Sequence, residues 1–170
     1  MIRLETPRLL LRQFIEEDAE AMFLLNADPD VIKYTGDKPF NTVEESLDLI
    51  RNYDQYSKYK QGRLTVILKE TNEILGWCGL KYHVDSNETD IGYRLKKAAW
   101  NKGYATEAAI ASLKYGFKDL HLKEIVGHAM KDNLPSIRVF EKIGMIYVKD
   151  FICAAQPSVF YKIENPDSKK

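Results

Sequence analysis

The chain has 170 residues, of which 45% are hydrophobic and 29% charged. This length and composition predict one globular domain that buries roughly two-thirds of its unfolded surface. Lys plus Arg and Asp plus Glu each total 25, so the formal net charge is zero. The balance excludes a strong overall field for nucleic acid or anionic lipid, and we expect neither nucleic acid nor membrane as a partner.

Targeting and thiol chemistry are also bounded by the sequence. No apolar run of about 18 residues occurs, and the first residues lack a signal-peptide core, which predicts a cytoplasmic protein. The cysteines, Cys78 and Cys153, are far apart and form no CxxC pair. Their apolar neighbours predict two buried, reduced thiols.

The first part of the chain predicts one strand and two helices. Residues 9–14 alternate as a strand does, and residues 16–26 carry an apolar helical face that Pro29 ends. Residues 28–40 are then expected to be a loop. A second helix is predicted to begin at Thr42, because Glu45 follows it at capping-box spacing.

The remainder predicts strands and two more helices. Residues 63–69 and 74–82 are expected to form a hairpin, and residues 88–95 a further strand. A helix is predicted from about residue 103 to 120 and a strand over 124–130. Asn133 can cap a helix that has Pro135 in its first turn and Gly144 at its end. Strands over 145–150 and 159–163 close the chain.

The predicted order is β-α-α-β-β-β-α-β-α-β-β. We expect residues 1–164 to form a single domain and residues 165–170 to be a disordered tail.

A loop rich in free backbone amides joins the strand at 88–95 to the following helix. The first amides of a helix have no intrahelical partner, and the macrodipole places partial positive charge there. Gly103 allows close approach of the backbone, so the loop from Trp100 to Thr106 is predicted to cradle an anionic diphosphate. Neither GxGxxG nor GxxxxGK[ST] occurs, which argues against dinucleotide-binding folds and P-loop nucleoside triphosphatases.

Two motifs resemble those of the GNAT acyltransferase superfamily. The frame Trp100-x-x-Gly103-x-Ala105 is similar to its [QR]-x-x-G-x-[GA] loop, which binds the pyrophosphate of acetyl-CoA, although Trp100 replaces Gln or Arg. Residues 132–145 are similar to its second signature, N-x-x-S-x-[RK]-[LV]-x-E-K-x-G-[FM]. The forms WNKGYATEA and ETPRLLLR resemble the Rim-type branch, which acetylates the N-termini of ribosomal proteins. The resemblance covers nearly the whole chain.

The resemblance implies an α/β GNAT fold with about four helices. Its mixed, mostly antiparallel sheet is expected to be splayed between the fourth and fifth predicted strands, over 88–95 and 124–130. Pantetheine would lie in that gap. The implied cofactor-binding residues are Tyr93, Arg94, Leu95, Asn101, Lys102, Gly103, Tyr104, Ala105, Thr106, Asn133, Ser136, Phe140 and Lys142.

The resemblance also suggests catalytic roles. Asp90 occupies the place of the family's usual glutamate base, and Glu88 lies on the same strand face and is an alternative. A backbone amide near Arg94 or Leu95 would bind the oxyanion. Phe140 stands where many members have a tyrosine acid, so Ser136, one helical turn earlier, is a candidate acid. Ser136 equally fits a capping role, and Asn133 either a cap or a pantetheine contact.

Other chemistries are disfavoured. The three histidines, His83, His121 and His128, show no metal-ligand spacing, so we interpret them as structural and expect no metal. No GxSxG motif indicates an acyl-enzyme, which favours direct transfer in a ternary complex.

The expected function is therefore N-acetylation of a primary amine by acetyl-CoA, with a protein N-terminal amine as the acceptor. Alternatives are acetylation of a small amine such as a polyamine, amino acid or aminoglycoside, and a non-catalytic acyl-CoA-binding module. The acceptor would enter beside the loop over 28–40 and the hairpin over 151–157. That loop carries Asp28, Asp30 and Asp37, which suit a cationic amine. A monomer and a homodimer both remain open.

Overall fold

The computed structural model describes residues 1–169 and contains one eight-stranded sheet in the order β1-β2-β3-β4-β5-β6-β8-β7. The strands are β1 (Arg3–Glu5), β2 (Leu9–Arg12), β3 (Arg63–Leu68), β4 (Glu73–His83), β5 (Glu88–Leu95), β6 (Glu124–Met130), β7 (Ile146–Cys153) and β8 (Gln156–Glu164). The α-helices are α1 (Ala19–Ala27), α2 (Pro29–Ile32), α3 (Val43–Arg51), α4 (Gln55–Tyr59), α5 (Tyr104–Lys118) and α6 (Leu134–Lys142).

Helices cover both faces of the sheet. Cys78 of β4 packs in the main core with Leu113 of α5. Trp77, its neighbour in sequence, packs in a second cluster with Met22 of α1. Successive strand residues point to opposite faces, so α5 and α1 lie on opposite sides of the sheet. The result is a three-layer α/β arrangement.

The sheet is antiparallel except between β5 and β6, which are parallel. These two strands are in register at one residue pair, Asp90 and Val126. Beyond that pair, residues 91–95 of β5 and 127–130 of β6 are not paired with each other. The predicted gap between these two strands is therefore confirmed.

Local sequence signals explain most element boundaries. Thr42 accepts a hydrogen bond from the Glu45 amide and caps α3. Asn133 caps α6 in the same way. Gly144 ends that helix with φ +87°, a left-handed conformation that glycine adopts at low cost.

Three short elements were not predicted. β1 pairs with β2, and α4 ends at Lys60, which has φ +57°. Pro29 was expected to end a helix, but it begins α2, capped by Asp28. Proline lacks an amide hydrogen and fits a first turn, so both roles are open to it.

One further expectation, the burial of both cysteines, differs from the structure. Cys78 is buried, and burial raises the pKa of its thiol to about 12. Cys153 is exposed, so its predicted burial was wrong. It ends the edge strand β7, which has a neighbouring strand on one side only.

The predicted disordered tail over 165–170 stays a prediction, and Lys170 lies outside the described residues. Asn165 is buried, and its side-chain amide donates to the carbonyls of Phe117 and Leu122. Pro166–Lys169 forms a 3₁₀ helix. Within residues 1–169, no helix has both the length and the apolar character needed to cross a membrane.

A buried charge network joins the start of the chain to the sheet. Asp18 is 1% exposed, and its carboxylate accepts hydrogen bonds from two Arg12 nitrogens at 2.7 and 2.8 Å. The Thr65 hydroxyl and the Ile15 amide donate to the same carboxylate at 2.6 and 3.1 Å. These four hydrogen bonds and the Arg12 charge compensate the free-energy cost of burying the Asp18 carboxylate.

We expect Asp18→Asn to lower the free energy of unfolding by about 3–5 kcal/mol, because it leaves the Arg12 guanidinium without its counter-charge. Urea denaturation measures the change. Glu16→Gln is the matched control: it removes an exposed ion pair with Arg51 and should leave the midpoint unchanged. Equal midpoints for both variants would contradict the assigned role of Asp18.

Candidate active site

The site is built around the opening between β5 and β6. Past Asp90, one edge of β5 and one edge of β6 have no strand beside them among the residues that the structure describes. The side chains of β5 alternate, so Tyr93 points to the layer of α5 and α6. Asp90 and Arg94 point to the opposite layer.

The amino end of α5 lies at one side of this opening. Gly103 precedes the helix with φ +80°, and no side chain in the described part of the chain, residues 1–169, caps the helix start. The first α5 amide that reaches the preceding turn is that of Glu107, which donates to the Gly103 carbonyl at 3.0 Å. Within residues 1–169, no hydrogen bond is donated by the amides of residues 103–106. These amides are free for an anion, as the cradle requires.

The amino-terminal segment of the chain holds this loop. Arg8 forms an ion pair with Glu107 at 2.6 Å and donates to the Lys102 carbonyl at 3.0 Å. Its guanidinium lies 4.5 Å from the centre of the Tyr104 ring. Trp100 donates its indole N–H to the Leu95 carbonyl at 2.8 Å. The loop is thereby fixed from both sides, and Arg8 adds a positive charge beside it.

The predicted cradle residues divide by exposure. Asn101, Lys102 and Gly103 are exposed, whereas Tyr104, Ala105 and Thr106 are half-buried. Asn101 adopts a left-handed conformation with φ +59°, which asparagine tolerates better than most residues.

Tyr93 bridges the opening to α6. Its hydroxyl donates to the Ser136 carbonyl at 2.8 Å and lies 2.9 Å from the Ser136 hydroxyl. Burial raises the pKa of Tyr93, so its hydroxyl stays protonated. The Ser136 amide donates to the Asn133 side chain at 3.3 Å. Asn133 therefore caps the helix, and Ser136 offers a hydroxyl next to a second hydroxyl from β5.

Phe140 is a core residue. It is 1% exposed, and its ring packs against those of Tyr93 and Tyr161 at 6.1 and 5.4 Å between centroids. It also fills the space that a side chain at Gly127 would need. Lys142, at the other end of α6, is exposed. The two predicted cofactor contacts on α6 thus differ in access, since the Phe140 ring offers almost no free surface.

Asp90 belongs to a charge cluster on the opposite face. Arg63 of β3 lies 2.8 Å from one carboxylate oxygen of Asp90, and His83 of β4 lies 3.2 Å from the other. The Asp90 side chain is 13% exposed. Burial by itself would raise the pKa of Asp90, but Arg63 and His83 outweigh it and the pKa is lowered. Asp90 is thus held as an ion.

Gly92 makes room for the guanidinium of Arg63. A Cβ at Gly92 would lie 2.6 Å from a terminal nitrogen of Arg63. The same guanidinium donates to the Gly79 carbonyl at 2.6 Å and lies 5.3 Å from the Trp77 ring centre. Arg63 therefore reaches from β3 across β4 to β5.

Arg94 connects the sheet to α1 and to the following loop. Its guanidinium donates to Asn26 of α1 and, at 2.6 Å, to Asp37. It also packs over the Trp77 ring at 5.2 Å. The side chain of Arg94 is 12% exposed, so it positions the loop over 33–41 rather than facing solvent.

Glu88 lies away from the opening. It precedes the last paired residue, Asp90, by one strand period and lines a surface cavity of about 360 Å³. The other lining residues are Tyr59, Gln61, Tyr82, Asn87, Thr89, Leu122, Lys123, Glu124 and Val126. The structure therefore separates the two candidate bases.

The acidic residues of the predicted acceptor loop are largely occupied. Asp28 caps α2, Asp30 pairs with Lys97, and Asp37 pairs with Arg94. These three carboxylates, which were expected to bind a cationic amine, instead have partners within the protein and stabilise the loop.

Several site residues were missed from sequence. Arg63, Trp77 and His83 come from strands that are distant in sequence from the predicted motifs. The alternation of β5 indicates that Asp90, Gly92 and Arg94 share a face, but the residues opposite them depend on register. No group of three or more His, Cys, Asp or Glu residues within 1–169 is arranged to hold a metal ion.

Comparison with known proteins agrees with this fold. A family model described as an acetyltransferase (GNAT) domain matches residues 8–146. A solved GNAT-family acetyltransferase from Bacillus anthracis is 32% identical, with 96% of this chain and 99% of that chain covered and a TM-score of 0.84. The predicted fold class is therefore confirmed.

Two solved structures with coenzyme A share the fold at lower identity. Spermidine N-acetyltransferase from Vibrio cholerae, in complex with CoA and spermine, is 17% identical, with coverage of 97% and 100% and a TM-score of 0.81. RimL, a ribosomal L7/L12 alpha-N-protein acetyltransferase in complex with CoA, is 15% identical, with coverage of 96% and 98% and a TM-score of 0.82. These likenesses concern the fold alone.

We expect Gly92→Ala to raise the pKa of Asp90, because the new methyl group displaces the Arg63 guanidinium that lowers it. Carboxyl ¹³C NMR across a pH titration measures this pKa, and Asp90→Asn identifies the resonance by its loss. Arg63→Gln should shift the pKa in the same direction. An Asp90 pKa that is the same in Gly92→Ala and the wild type would refute the coupling.

Proposed function

The chain belongs to the GNAT acetyltransferase family, and from this premise we propose that it transfers the acetyl group of acetyl-CoA to a primary amine. The observation that carries the proposal is the opening between β5 and β6 beside the free amides of α5. Donor and acceptor would meet in one ternary complex, and the acetyl group would pass directly between them.

Acetyl-CoA fits the chemistry of the opening. Its diphosphate would accept hydrogen bonds from the amides of residues 103–106, where the helix dipole and Arg8 favour negative charge. Its pantetheine amides would pair with the unpaired strand edges of β5 and β6. Asn101, Lys102 and Lys142 are exposed around that path.

The residues of β5 and α6 would then serve the transfer. A backbone amide near Arg94 or Leu95 would stabilise the oxyanion of the tetrahedral intermediate. The Ser136 hydroxyl, paired with that of Tyr93, would hydrogen-bond the departing sulfur. A thiol pKa near ~8.5 means that weak assistance is enough. Asp90 would supply negative charge beside the amine, with Glu88 farther away.

We propose a protein N-terminal amine as the acceptor, as in the Rim-type branch. Asp30 and Asp37 are paired with Lys97 and Arg94, which removes charges that a polyamine would need. The nearby strands β7 and β8 contribute Phe151 and Phe160, whose rings suit a peptide side chain better than a polycation. RimL and the spermidine enzyme show that this fold serves acceptors of both classes.

The test is release of free thiol from acetyl-CoA with a panel of N-terminal peptides, polyamines, amino acids and aminoglycosides. We expect turnover with peptides and little with polyamines. Faster turnover with polyamines than with peptides would contradict a protein N-terminal amine as the acceptor. Binding of acetyl-CoA with no thiol release from any acceptor would favour a non-catalytic binding module.

We expect Gly103→Val to weaken CoA binding about 10-fold to 100-fold, because loss of one charge-assisted hydrogen bond costs about 1.5–3 kcal/mol. Gly103 has φ +80°, and valine there would shift the amides of the cradle. Isothermal calorimetry measures the dissociation constant.

Gly144→Val is the matched control. Gly144 also has a positive φ, +87°, but lies at the far end of α6. The Gly144→Val variant should be less stable than the wild type but should bind CoA with the same affinity. Equal CoA affinity in Gly103→Val and the wild type would place the diphosphate elsewhere.

A further inference from the structure

Transfer to an amine requires a group that takes up a proton at the opening between β5 and β6, and this inference rests on the proposed function. Three side chains of β5 and β6 beyond the last strand pair share the face of Asp90: those of Arg94, His128 and Met130. Arg94 remains a cation and Met130 is a thioether. His128 alone of these three can accept a proton near neutral pH.

Asp90 is poorly suited to that task. It is enclosed by Arg63 at 2.8 Å and by His83 at 3.2 Å, with 13% of its side chain exposed. Its pKa is lowered by these neighbours in spite of burial. A carboxylate that is stabilised as an ion accepts a proton weakly, since an efficient base has a pKa near the working pH.

His128 lies where the strands part. It follows Val126, the β6 residue paired with Asp90, by one strand period. Its buried neighbours Gly127 and Ala129 point to the other face, where Gly127 meets the Phe140 ring. The imidazole of His128 is therefore level with Gly92, the position of β5 that has no side chain.

Aromatic rings hold the imidazole without enclosing it. The His128 ring lies 5.0 Å from the Phe160 centroid and 5.5 Å from the Phe151 centroid. The residue is nevertheless exposed. A ring that is supported from β7 and β8 and open to solvent can meet an incoming amine.

The surroundings of this imidazole act on its pKa in both directions, and the net shift is downward. Desolvation lowers the pKa of His128, and His83 and Arg63 lower it further, whereas Asp90 and Glu88 oppose the shift. On the β7 side, Lys149 lies over the Phe160 ring at 5.5 Å. Neutral His128 can accept a proton, and the neighbouring Asp90 carboxylate stabilises the imidazolium that results.

We propose that His128 accepts the proton of the attacking amine and that Asp90 is a positioning residue, which acts through His128. The neutral amine attacks the thioester carbon, a C–N bond forms, and an N–H proton passes to the imidazole. The C–S bond then breaks, and the thiolate takes a proton from solvent. The imidazolium returns its proton to solvent, so the products are the amide and free coenzyme A.

The test is the pH dependence of kcat for His128→Gln with the best acceptor of the panel. We expect kcat to fall about 100-fold or more, the usual scale of general base catalysis. The acid limb of the wild-type profile, set by His128, should disappear, while the dissociation constant of CoA stays unchanged. External imidazole should partly restore the rate of His128→Ala, because a free imidazole can occupy the space between the two phenylalanine rings.

His121→Asn is the matched control. His121 is an exposed histidine in the connection between α5 and β6, and its φ of +54° suits asparagine. This variant should keep the wild-type profile. Asp90→Asn should keep an acid limb but shift its midpoint to lower pH, because the carboxylate that favours the imidazolium is gone.

The outcomes separate the two proposals. If the wild type turns over and His128→Gln keeps the same acid limb, the role of His128 is overturned and the acetyltransferase proposal still stands. Loss of the acid limb in Asp90→Asn alone would assign the base to Asp90. Absence of wild-type turnover with every acceptor would overturn both. If His128→Gln does not fold, as judged by its thermal transition, His128→Asn gives the same readout.

Discussion

The parting of β5 from β6 after a single residue pair is the constraint on which the rest of the site depends. β5 pairs with β4 along all of Glu88–Leu95, and β6 pairs with β8 along all of Glu124–Met130. Each strand is thus held firmly by its outer neighbour. The gap between them exposes backbone groups that must find partners, and a pantetheine chain offers such partners at the spacing of a strand.

The two faces of the gap carry different chemistry. On the α5 and α6 side lie neutral donors, including the helix amides and the paired hydroxyls of Tyr93 and Ser136. On the opposite side lie Asp90 and its cationic partner Arg63. A phosphate-bearing donor suits the first face, and an amine that must lose a proton suits the second.

Sequence predicted the parts that depend on local signals. Gly103, Asn133 and Gly144 mark helix ends by their own backbone chemistry, and β5 and β6 were predicted with their observed bounds. The partners of Asp90 could not be found in this way, because Arg63 and His83 reach it through strand register, which a single sequence does not contain. His128 was interpreted as structural because its spacing fits no metal site. Its position beside the gap could not be predicted either, because it depends on one cross-strand pair.

Two glycines explain how both faces can be filled while the gap stays open. A Cβ at Gly92 of β5 would meet the Arg63 guanidinium at 2.6 Å, and a Cβ at Gly127 of β6 would meet the Phe140 ring at 2.8 Å. Each missing side chain is replaced by a group from another element, one charged and one aromatic. Because the Arg63 guanidinium and the Phe140 ring occupy these positions, both layers are packed beside the gap, and the backbone edges of β5 and β6 are the surfaces left without a strand partner. In the proposed transfer, the donor would therefore lie along these edges, between the charged layer of Arg63 and the aromatic layer of Phe140.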